Sequence, residues 1–210
     1  MKFHDIDQTI DRDEWLEMRV GKIGGSKLGT VMSNYGKAFG DPAQKLAVNL
    51  ALERITGKSQ ENGYINDHMI RGLEQEPIAR AMYESERFVD VLNGGFFDSG
   101  NIGVSPDGLV GTDGVIEIKS VIGTTHYKTV ARDKFDPSYK WQLYLNLLVT
   151  GRDWIDFISY CSEFPVDRRL FVDRIYREKA ETVKMFDKIH LRLIEFEELV
   201  AEKITVINAA

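Results

Sequence analysis

Two short stretches of the sequence decide the fold: Gly103-Val104-Ser105-Pro106-Asp107-Gly108-Leu109 and Val115-Ile116-Glu117-Ile118-Lys119-Ser120. Their apolar runs are short and separated by glycines, which predicts two strands joined by a turn. Residues two apart on a strand project from the same face, so Glu117 and Lys119 share one face while Ile116 and Ile118 turn into the core. A carboxylate and an ammonium on a central strand are costly to bury unless they are paired. The pattern therefore indicates either a plain Glu–Lys pair or a reactive centre.

Asp107 favours the reactive centre. Pro106 and Gly108 flank it and predict a tight turn, and a hairpin that returns to Val115 would bring Glu117 beside it. Two carboxylates and a lysine would then converge at one end of the hairpin.

This combination suits phosphodiester hydrolysis. Mg²⁺ is commonly held by one or two carboxylates together with waters and substrate phosphate, so Asp107 and Glu117 would suffice as side-chain ligands. The backbone carbonyl of Ile118 would be a third ligand. Lys119 would orient and polarise the attacking water while the cation stabilises charge on the phosphate and the leaving oxygen.

Composition limits the class of protein. The 210 residues are 43% hydrophobic and 29% charged, which is typical of a globular chain, and we expect one domain over residues 1–210. Cys161 is the single cysteine, which excludes a disulfide scaffold and a cysteine-ligated zinc or iron–sulfur site. No apolar run approaches the ~18 residues of a membrane span, and the N-terminus is acidic, so we expect a cytoplasmic protein that does not use a membrane.

The charge is unevenly distributed along the chain. The net charge of −6 has the wrong sign for a simple phosphate-coating binder. However, residues 19–60 contain seven Lys or Arg against two Asp or Glu, whereas residues 61–117 contain three against eleven. The segregation indicates either ordinary solvated surface or a basic surface that faces an anionic ligand across an acidic, metal-collecting pocket.

Periodicity predicts the order of the elements. Helices are predicted at 11–18, 26–33, 42–55, 67–83, 124–132 and 138–149. Strands are predicted at 88–92, 102–105, 109–110, 115–119, 154–160 and 169–175, the first four as an antiparallel meander. In the fourth helix Met69, Leu73 and Ala81 would face the core. The last helix would pack on the sheet through an apolar stripe of Phe186, Ile189, Leu193, Phe196 and Val200. This order predicts an α/β fold with a central mixed sheet flanked by helices.

Four stretches together resemble a known family. Ser105–Gly108, followed ten residues after the aspartate by Glu117–Lys119, resembles the core of PD-(D/E)xK nucleases. Trp15–Ser26, Arg71–Pro77 and Tyr139–Leu145 resemble, in order and spacing, the phage lambda exonuclease and YqaJ-like viral recombinase family. The resemblance covers about residues 13–187, with a C-terminal helix to about residue 204, and implies a restriction-endonuclease-like fold.

The resemblance implies further catalytic residues. Glu76 would lie over the metal pocket from the predicted fourth helix, with Glu74 as the rival position. Gln142 would hydrogen-bond the attacking water or a phosphate, and Tyr139 would lie one turn earlier on a neighbouring face.

A site for a terminal 5′-phosphate is also implied. Arg19 and Ser26 match the family positions that hold this phosphate, and a guanidinium fork and a hydroxyl at a helix start suit an anion. Ser105 would add a further hydroxyl. An ordinary N-cap is the alternative for Ser26, and the two roles are compatible.

The function implied by the resemblance is a Mg²⁺-dependent alkaline exonuclease, with Mn²⁺ as a substitute and two ions per site. It would degrade double-stranded DNA from 5′-phosphorylated ends in the 5′-to-3′ direction and expose 3′ single strands for phage-type recombination. A homotrimeric ring, a single-strand annealing partner and a phage or prophage gene are implied with it. Three basic segments that face one channel would reconcile the acidic chain with DNA binding.

Two alternatives remain. A PD-(D/E)xK endonuclease of the restriction or junction-cleaving type would share the metal core, but Arg19 and Ser26 argue against it. A catalytically inactive DNA-binding relative would share the fold, but intact Asp107, Glu117 and Lys119 argue against that.

Overall fold

A computed structural model of the chain describes residues 1–60 and 67–209. The helices are Arg12–Arg19 (α1), Gly25–Met32 (α2), Asp41–Thr56 (α3), Asp67–Arg87 (α4), Gly123–Arg132 (α5), Lys140–Thr150 (α6) and Ala180–Ala209 (α7). The strands are Lys2–His4 (β1), Val91–Leu92 (β2), Phe96–Ser99 (β3), Ile102–Val104 (β4), Gly108–Val110 (β5), Gly114–Ser120 (β6), Trp154–Tyr160 (β7) and Leu170–Tyr176 (β8). A 3-10 turn at Pro137–Tyr139 leads directly into α6.

The larger sheet has five strands in the order β2-β5-β6-β7-β8. Strands β6 and β7 run parallel, with Gly114 opposite Trp154 and Ser120 opposite Tyr160, and the other neighbouring strands run antiparallel. Because parallel strands need a crossover, the chain passes through α5 and α6 between β6 and β7. The mixed sheet flanked by helices confirms the predicted fold class.

Strand β6 lies in the centre of the sheet and is covered on both faces. Ile116 and Ile118 pack with Ala79 and Tyr83 of α4. On the opposite face Val115 belongs to a larger cluster that includes residues of α2, α3, α6 and α7. The side chains of β6 are therefore held between two packed layers, which fixes the position of the polar residues that this strand carries.

The predicted meander at 88–119 is wrong in two respects. Helix α4 continues to Arg87, and Phe88 ends it in the left-handed conformation with φ of 54°, so the first strand is shortened to β2. Strand β3 was missed, and it pairs with β4 and β1 to form a separate three-stranded sheet. The partners β1 and β3 are short and far apart in sequence, so local periodicity carries no signal for their pairing.

The inward faces of two helices also differ from the prediction. Met69 and Leu73 of α4 are about half exposed and Ala81 is exposed, whereas Ala79 and Tyr83 are buried against the sheet. The predicted apolar stripe of α7 is buried, but α7 packs mainly on α3, α6 and α2 rather than on the sheet. The reason is that α6 lies between α7 and the sheet, since it contacts both α7 and β7. Among the described residues, no helix has the length and apolarity needed to cross a membrane.

Candidate active site

The β5–β6 hairpin places Asp107 next to the strand that carries Glu117 and Lys119. The Asp107 backbone N–H donates to the Ile116 carbonyl at 3.1 Å, and Asp107 Oδ2 accepts from the Ile118 N–H at 2.6 Å. A Cβ on Gly94 would lie 1.7 Å from the Pro106 carbonyl oxygen, so only glycine permits this approach of the two loops. The turn before β5 is thus held by backbone contacts, and Asp107 is fixed at its end.

Glu117 is the most enclosed of the three residues, with 1% of its surface exposed. Its Oε1 accepts hydrogen bonds from Lys119 Nζ at 2.5 Å and Gln142 Nε2 at 2.6 Å. Its Oε2 accepts from Asn146 Nδ2 at 2.7 Å. These three donors satisfy the buried carboxylate and fix its orientation.

Asn146 was missed by the sequence analysis. It lies four residues after Gln142, so the two amides occupy the same face of α6, one turn apart. It is 2% exposed in an otherwise apolar part of the helix. A buried amide at this spacing from a proposed site residue is a signal that the sequence does carry.

Glu76 and Arg80 approach the cluster from α4. Glu76 lines the same cavities as Asp107, whereas Glu74 is exposed, so the structure brings Glu76 to the site rather than Glu74. Arg80 Nη2 lies 3.6 Å from Glu76 Oε1 and donates to the Asp107 carbonyl oxygen. Arg80 was also missed, and its spacing of four residues from Glu76 was the available signal.

The carboxyl groups of the cluster have raised pKa values. Burial, and then the charge of Asp107, raise the pKa of Glu76 to about 8 and that of Glu117 to about 7. Burial also raises the pKa of Asp107. For Lys119 burial opposes the charged form, but the attraction of Glu117 and Asp107 outweighs it, and the pKa lies above its ordinary value. The cluster therefore has a high affinity for protons or for another cation.

A cavity of about 660 Å³ opens in front of the cluster. Glu76, Asp107, Ile118, Lys119 and Tyr139 line one part of it, and Arg12, Arg71, Ser120 and Thr125 line another. The Tyr139 ring stacks on Phe157 at 5.7 Å and lies 5.4 Å from Lys119 Nζ. Three of the predicted catalytic residues, Glu76, Asp107 and Lys119, therefore face an open cavity that is lined by cations as well as carboxylates, and Glu117 and Gln142 lie behind them.

Arg19 is connected to this region through Trp15. The Arg19 guanidinium lies 4.3 Å from the centre of the Trp15 ring, and Trp15 Nε1 donates to Ser105 Oγ at 2.7 Å. Arg19 also lines a small cavity with Lys22 and Lys27. These two lysines were missed as companions of Arg19.

Ser26 is placed differently from the prediction. Helix α2 begins at Gly25 with Gly24 as its N-cap, so Ser26 is the second helical residue and its side chain makes no cap hydrogen bond. Ser26 is exposed and does not line the small cavity of Arg19. It nevertheless lies in the first turn of α2, where helix N–H groups attract anions.

The donor set suits a hard divalent cation. Within residues 1–60 and 67–209 no group of three or more His, Cys, Asp and Glu has a metal-binding arrangement. Buried carboxylates with raised pKa values are groups that a cation would neutralise, and the β5–β6 pairing ends at Ile116, two residues before Ile118. Asp107, Glu117 and the Ile118 carbonyl could therefore hold Mg²⁺, whose remaining ligands are usually waters and phosphate.

Among the described side chains, no histidine belongs to this cluster. His126 is buried, with Nδ1 2.8 Å from Ser159 Oγ and Nε2 3.0 Å from the Arg168 carbonyl oxygen. The side chain of His68 lies outside the described residues. His126 has a structural role, because both of its ring nitrogens bind protein groups.

Comparisons with known proteins add to this geometry. Residues 14–153 match the model of the YqaJ-like viral recombinase domain. The alkaline exonuclease LHK-Exo from Laribacter hongkongensis is 35% identical with a TM-score of 0.77, over 94% of this chain and 100% of that chain. The structure of LHK-Exo in complex with dAMP is 34% identical with a TM-score of 0.78, again over 94% of this chain and 100% of that chain. A search of curated proteins finds no match.

A more distant structure has the same fold. A phage-related exonuclease from Haemophilus somnus 129PT is 17% identical, with a TM-score of 0.65, over 89% of this chain and 96% of that chain. All of the proposed site residues, from Arg19 to Gln142, lie inside the range that the family model matches.

Proposed function

We propose that this chain, which belongs to the YqaJ-like viral recombinase family, is a Mg²⁺-dependent exonuclease that acts on double-stranded DNA. The family membership confirms the resemblance seen in the motifs, and the similarity to alkaline exonucleases makes the chain a nuclease. Digestion would proceed 5′-to-3′ from 5′-phosphorylated ends and expose 3′ single strands for recombination. The observation that carries the proposal is the cluster of Asp107, Glu117 and Lys119 beside Glu76 at an open cavity.

Each residue of the cluster has a distinct task. Mg²⁺, or Mn²⁺ in its place, at one or two positions would stabilise charge on the phosphate and on the leaving oxygen. Asp107, Glu117 and the Ile118 carbonyl would hold the cation, with Glu76 on the other side of the pocket. Lys119 would orient the attacking water.

Two further side chains would support the reaction. Gln142 donates to Glu117, so it would hold that carboxylate and present its remaining N–H to a phosphate or water. Tyr139, above Lys119, would contact the DNA backbone.

A terminal phosphate would bind near Arg19. The small cavity of Arg19 and Lys27 lies at Gly24, the N-cap of α2, so side-chain cations and helix N–H groups meet there, whereas Lys22, which also lines it, is paired with Asp98. Ser105 accepts a hydrogen bond from Trp15 and keeps its own O–H for a phosphate oxygen. Ser26 would donate from the first turn of α2.

One gel assay tests the activity. Linear duplexes with 5′-phosphate or 5′-hydroxyl ends and a closed circular duplex are incubated with and without Mg²⁺. We expect progressive loss of one strand from the 5′-phosphorylated duplex in the presence of Mg²⁺ and no cutting of the circle. Glu117→Gln is the control, because it keeps the side-chain volume and removes the charge. A linearised circle would favour the endonuclease, and no cleavage of any substrate would favour an inactive DNA-binding relative.

Arg19→Ala tests the terminal-phosphate site. We expect much slower digestion of the 5′-phosphorylated duplex and little change with the 5′-hydroxyl duplex, because only the former loses a partner of the guanidinium. Arg19→Lys should rescue in part, since lysine keeps the charge but not the planar fork, and a hydrogen bond to a charged group contributes about 1.5–3 kcal/mol. Equal slowing on both ends would assign Arg19 to folding or to general DNA binding.

A further inference from the structure

Helix α5 carries a polar stripe away from the catalytic cavity. Thr125 lines that cavity, and Lys128 and Arg132 follow at spacings of three and four residues, which places all three on one helix face. His126 and Thr129 form the buried face of the same helix, and Lys128 and Arg132 are exposed. From Thr125 to Arg132 the stripe extends about 10 Å along the helix axis.

The stripe ends at a second cavity, of about 460 Å³, which we call the basic cavity. Its lining includes Arg132, Lys134, Lys140 and Lys179, together with the aromatic residues Phe135, Tyr144 and Tyr176. Two acidic residues, Asp173 and Glu181, also line it, but the Asp173 carboxylate is already engaged by the Phe135 N–H at 2.7 Å. In a chain with a net charge of −6, this is a local excess of positive charge.

Most of these cations have no acidic partner of their own. Within the part of the chain that the structure describes, none of Lys128, Arg132, Lys134 and Lys179 forms a salt bridge. All four are exposed. They are therefore available to an anionic ligand, at the low desolvation cost of surface groups.

The catalytic cavity and the basic cavity lie on two sides of one aromatic cluster. Tyr139, in the catalytic cavity, stacks on Phe157 at 5.7 Å, and Phe135, in the basic cavity, lies 6.4 Å from the same ring. An extended ligand that leaves the catalytic cavity along α5 would thus reach the basic cavity directly. Tyr176, which lines the basic cavity and has 40% of its surface exposed, is available there as a stacking platform.

We propose that the α5 stripe and the basic cavity bind single-stranded DNA next to the catalytic cavity. The inference rests on the proposed function for the source of the strand, since digestion of one strand leaves the other single. Exposed cations next to the exposed ring of Tyr176 suit a chain of phosphates and bases, because each nucleotide brings one charge and one face for stacking. An acidic peptide would use the cations but would leave the exposed ring of Tyr176 uncovered.

The test measures binding without cleavage. Fluorescence anisotropy of a labelled 20-nucleotide single strand and of a blunt duplex is recorded in EDTA at several salt concentrations. The variant Lys128→Ala/Arg132→Ala/Lys134→Ala/Lys179→Ala should weaken single-strand binding at least about tenfold and reduce the salt slope by up to about three, because each lost phosphate contact on a single strand contributes about 0.7. Duplex binding should change less than about twofold.

The control variant removes the same charge elsewhere. Arg168→Ala/Lys184→Ala/Lys188→Ala/Lys203→Ala also replaces one arginine and three lysines, none of which lines the basic cavity. It should leave single-strand binding unchanged. Equal weakening by the two variants, or equal weakening on single strand and duplex, would overturn the inference in favour of general attraction.

A second variant tests stacking independently of charge. Tyr176→Ala should weaken single-strand binding roughly fivefold or more, the lower bound for one base on an aromatic ring, and Tyr176→Phe should restore it. A 20-residue polyglutamate is added as a competitor. If the wild type binds polyglutamate and the variants bind single-stranded DNA as well as the wild type does, the cavity would be assigned to an acidic peptide. Cleavage is assayed separately with Mg²⁺, so a protein that binds single strand through this cavity but does not cut would refute the nuclease proposal alone.

Discussion

Glu117 is buried in the interior of the chain, where an ionised carboxylate needs compensation. Lys119 supplies a charge from the same strand face, and Gln142 and Asn146 supply amide donors from α6. Neutral amides stabilise the ionised form without cancelling its charge, so the carboxylate remains able to bind a cation. At the residue scale, the site depends on a balance between burial, which disfavours the ionised carboxylate, and hydrogen-bond donors, which stabilise it.

Asn146→Ala should weaken the site without touching a proposed metal ligand. Loss of the donor to Glu117 Oε2 frees the carboxylate to rotate, and we expect a 10–100-fold reduction in metal affinity or activity, as for other residues that orient ligands. The Mg²⁺ concentration for half-maximal activity is the measurement that separates this from a stability loss. Asn49→Ala, at an exposed position of α3, is the matched control. An unchanged Mg²⁺ dependence would show that Asn146 only fills space.

The raised pKa values predict how the metal-free stability changes with pH. Glu76 has a pKa of about 8 in the folded chain against an ordinary value of 4.5 in the unfolded chain, so between these values the folded state binds more protons than the unfolded state. Stability should therefore fall as the pH rises through this window, by on the order of 4 kcal/mol. Urea unfolding in EDTA at pH 5 and pH 8.5 measures this change in the free energy of unfolding. Glu76→Gln should make the free energy of unfolding depend less on pH.

Activity should change with pH in the opposite direction. The carboxyls must be ionised to hold a cation, and the pKa values of Glu117 and Glu76 are about 7 and 8. Mg²⁺ affinity and cleavage should therefore rise between pH 6 and 9. A pH-independent Mg²⁺ affinity over this range would contradict the assignment of the cluster as the cation site.

Gly25 is the residue of α2 that packs on α6 next to the site. A Cβ on Gly25 would lie 3.0 Å from Gln142 Cγ and 3.2 Å from Asn146 Oδ1, the two residues that hold Glu117. Further along α2, a Cβ on Gly29 would contact nothing within 4 Å. At the element scale, the first turn of α2 therefore links the region of Arg19 to the amides of α6.

Substitutions at the two glycines should have opposite effects. Gly25→Val should reduce the free energy of unfolding by about 1–3 kcal/mol through overpacking, and it should reduce activity further by displacing Gln142. Gly29→Ala should leave activity unchanged and raise stability by up to about 1 kcal/mol, because alanine favours the helix. Thermal melts and the duplex assay measure both. Normal activity of Gly25→Val would show that the α2–α6 contact does not position the amides.

Some of the basic residues at 19–60 are paired with acidic residues of the protein, so fewer of them are available to bind DNA than the composition indicates. Lys22 pairs with Asp98 at 2.9 Å, and Arg54 pairs with Glu197 at 2.7 Å while its Nε donates to the Gly21 carbonyl. Part of the positive charge therefore ties the segment between α1 and α2 to β3, and α3 to α7. At the scale of the whole molecule, DNA binding by this acidic chain would depend on a few concentrated patches, or on several copies of the chain around one DNA.

An assembly would supply such copies, and the ring implied by the family predicts three. Multi-angle light scattering should give a mass of about three chains, and binding to duplex DNA should weaken steeply with salt, since screening falls to about 8 Å at physiological ionic strength. A partner annealing protein is tested by co-elution with this assembly. A monomer that digests long duplexes without dissociating would refute the ring.

The sequence by itself determined the parts that depend on local order. The alternation in Val115–Lys119 and the turn residues around Asp107 predicted the strand, the hairpin and the shared face of Glu117 and Lys119, because strand geometry fixes which neighbours point together. The order of these motifs also identified the family and the α/β class with its mixed sheet. The inferences about the strand and the hairpin use spacings of about ten residues or fewer, within which backbone geometry decides the outcome.

Only the tertiary structure decided what depends on distant contacts. Asn146 binds Glu117 across 29 residues, Arg80 reaches Asp107 across 27, and the three-stranded sheet joins β1 to β3 across about 90. The direction of the inward face of α4 and the placement of α7 on other helices followed from the layers packed around them. Periodicity shows that a helix has an apolar face but does not show which surface that face meets, because the choice is made by the packing of the whole core.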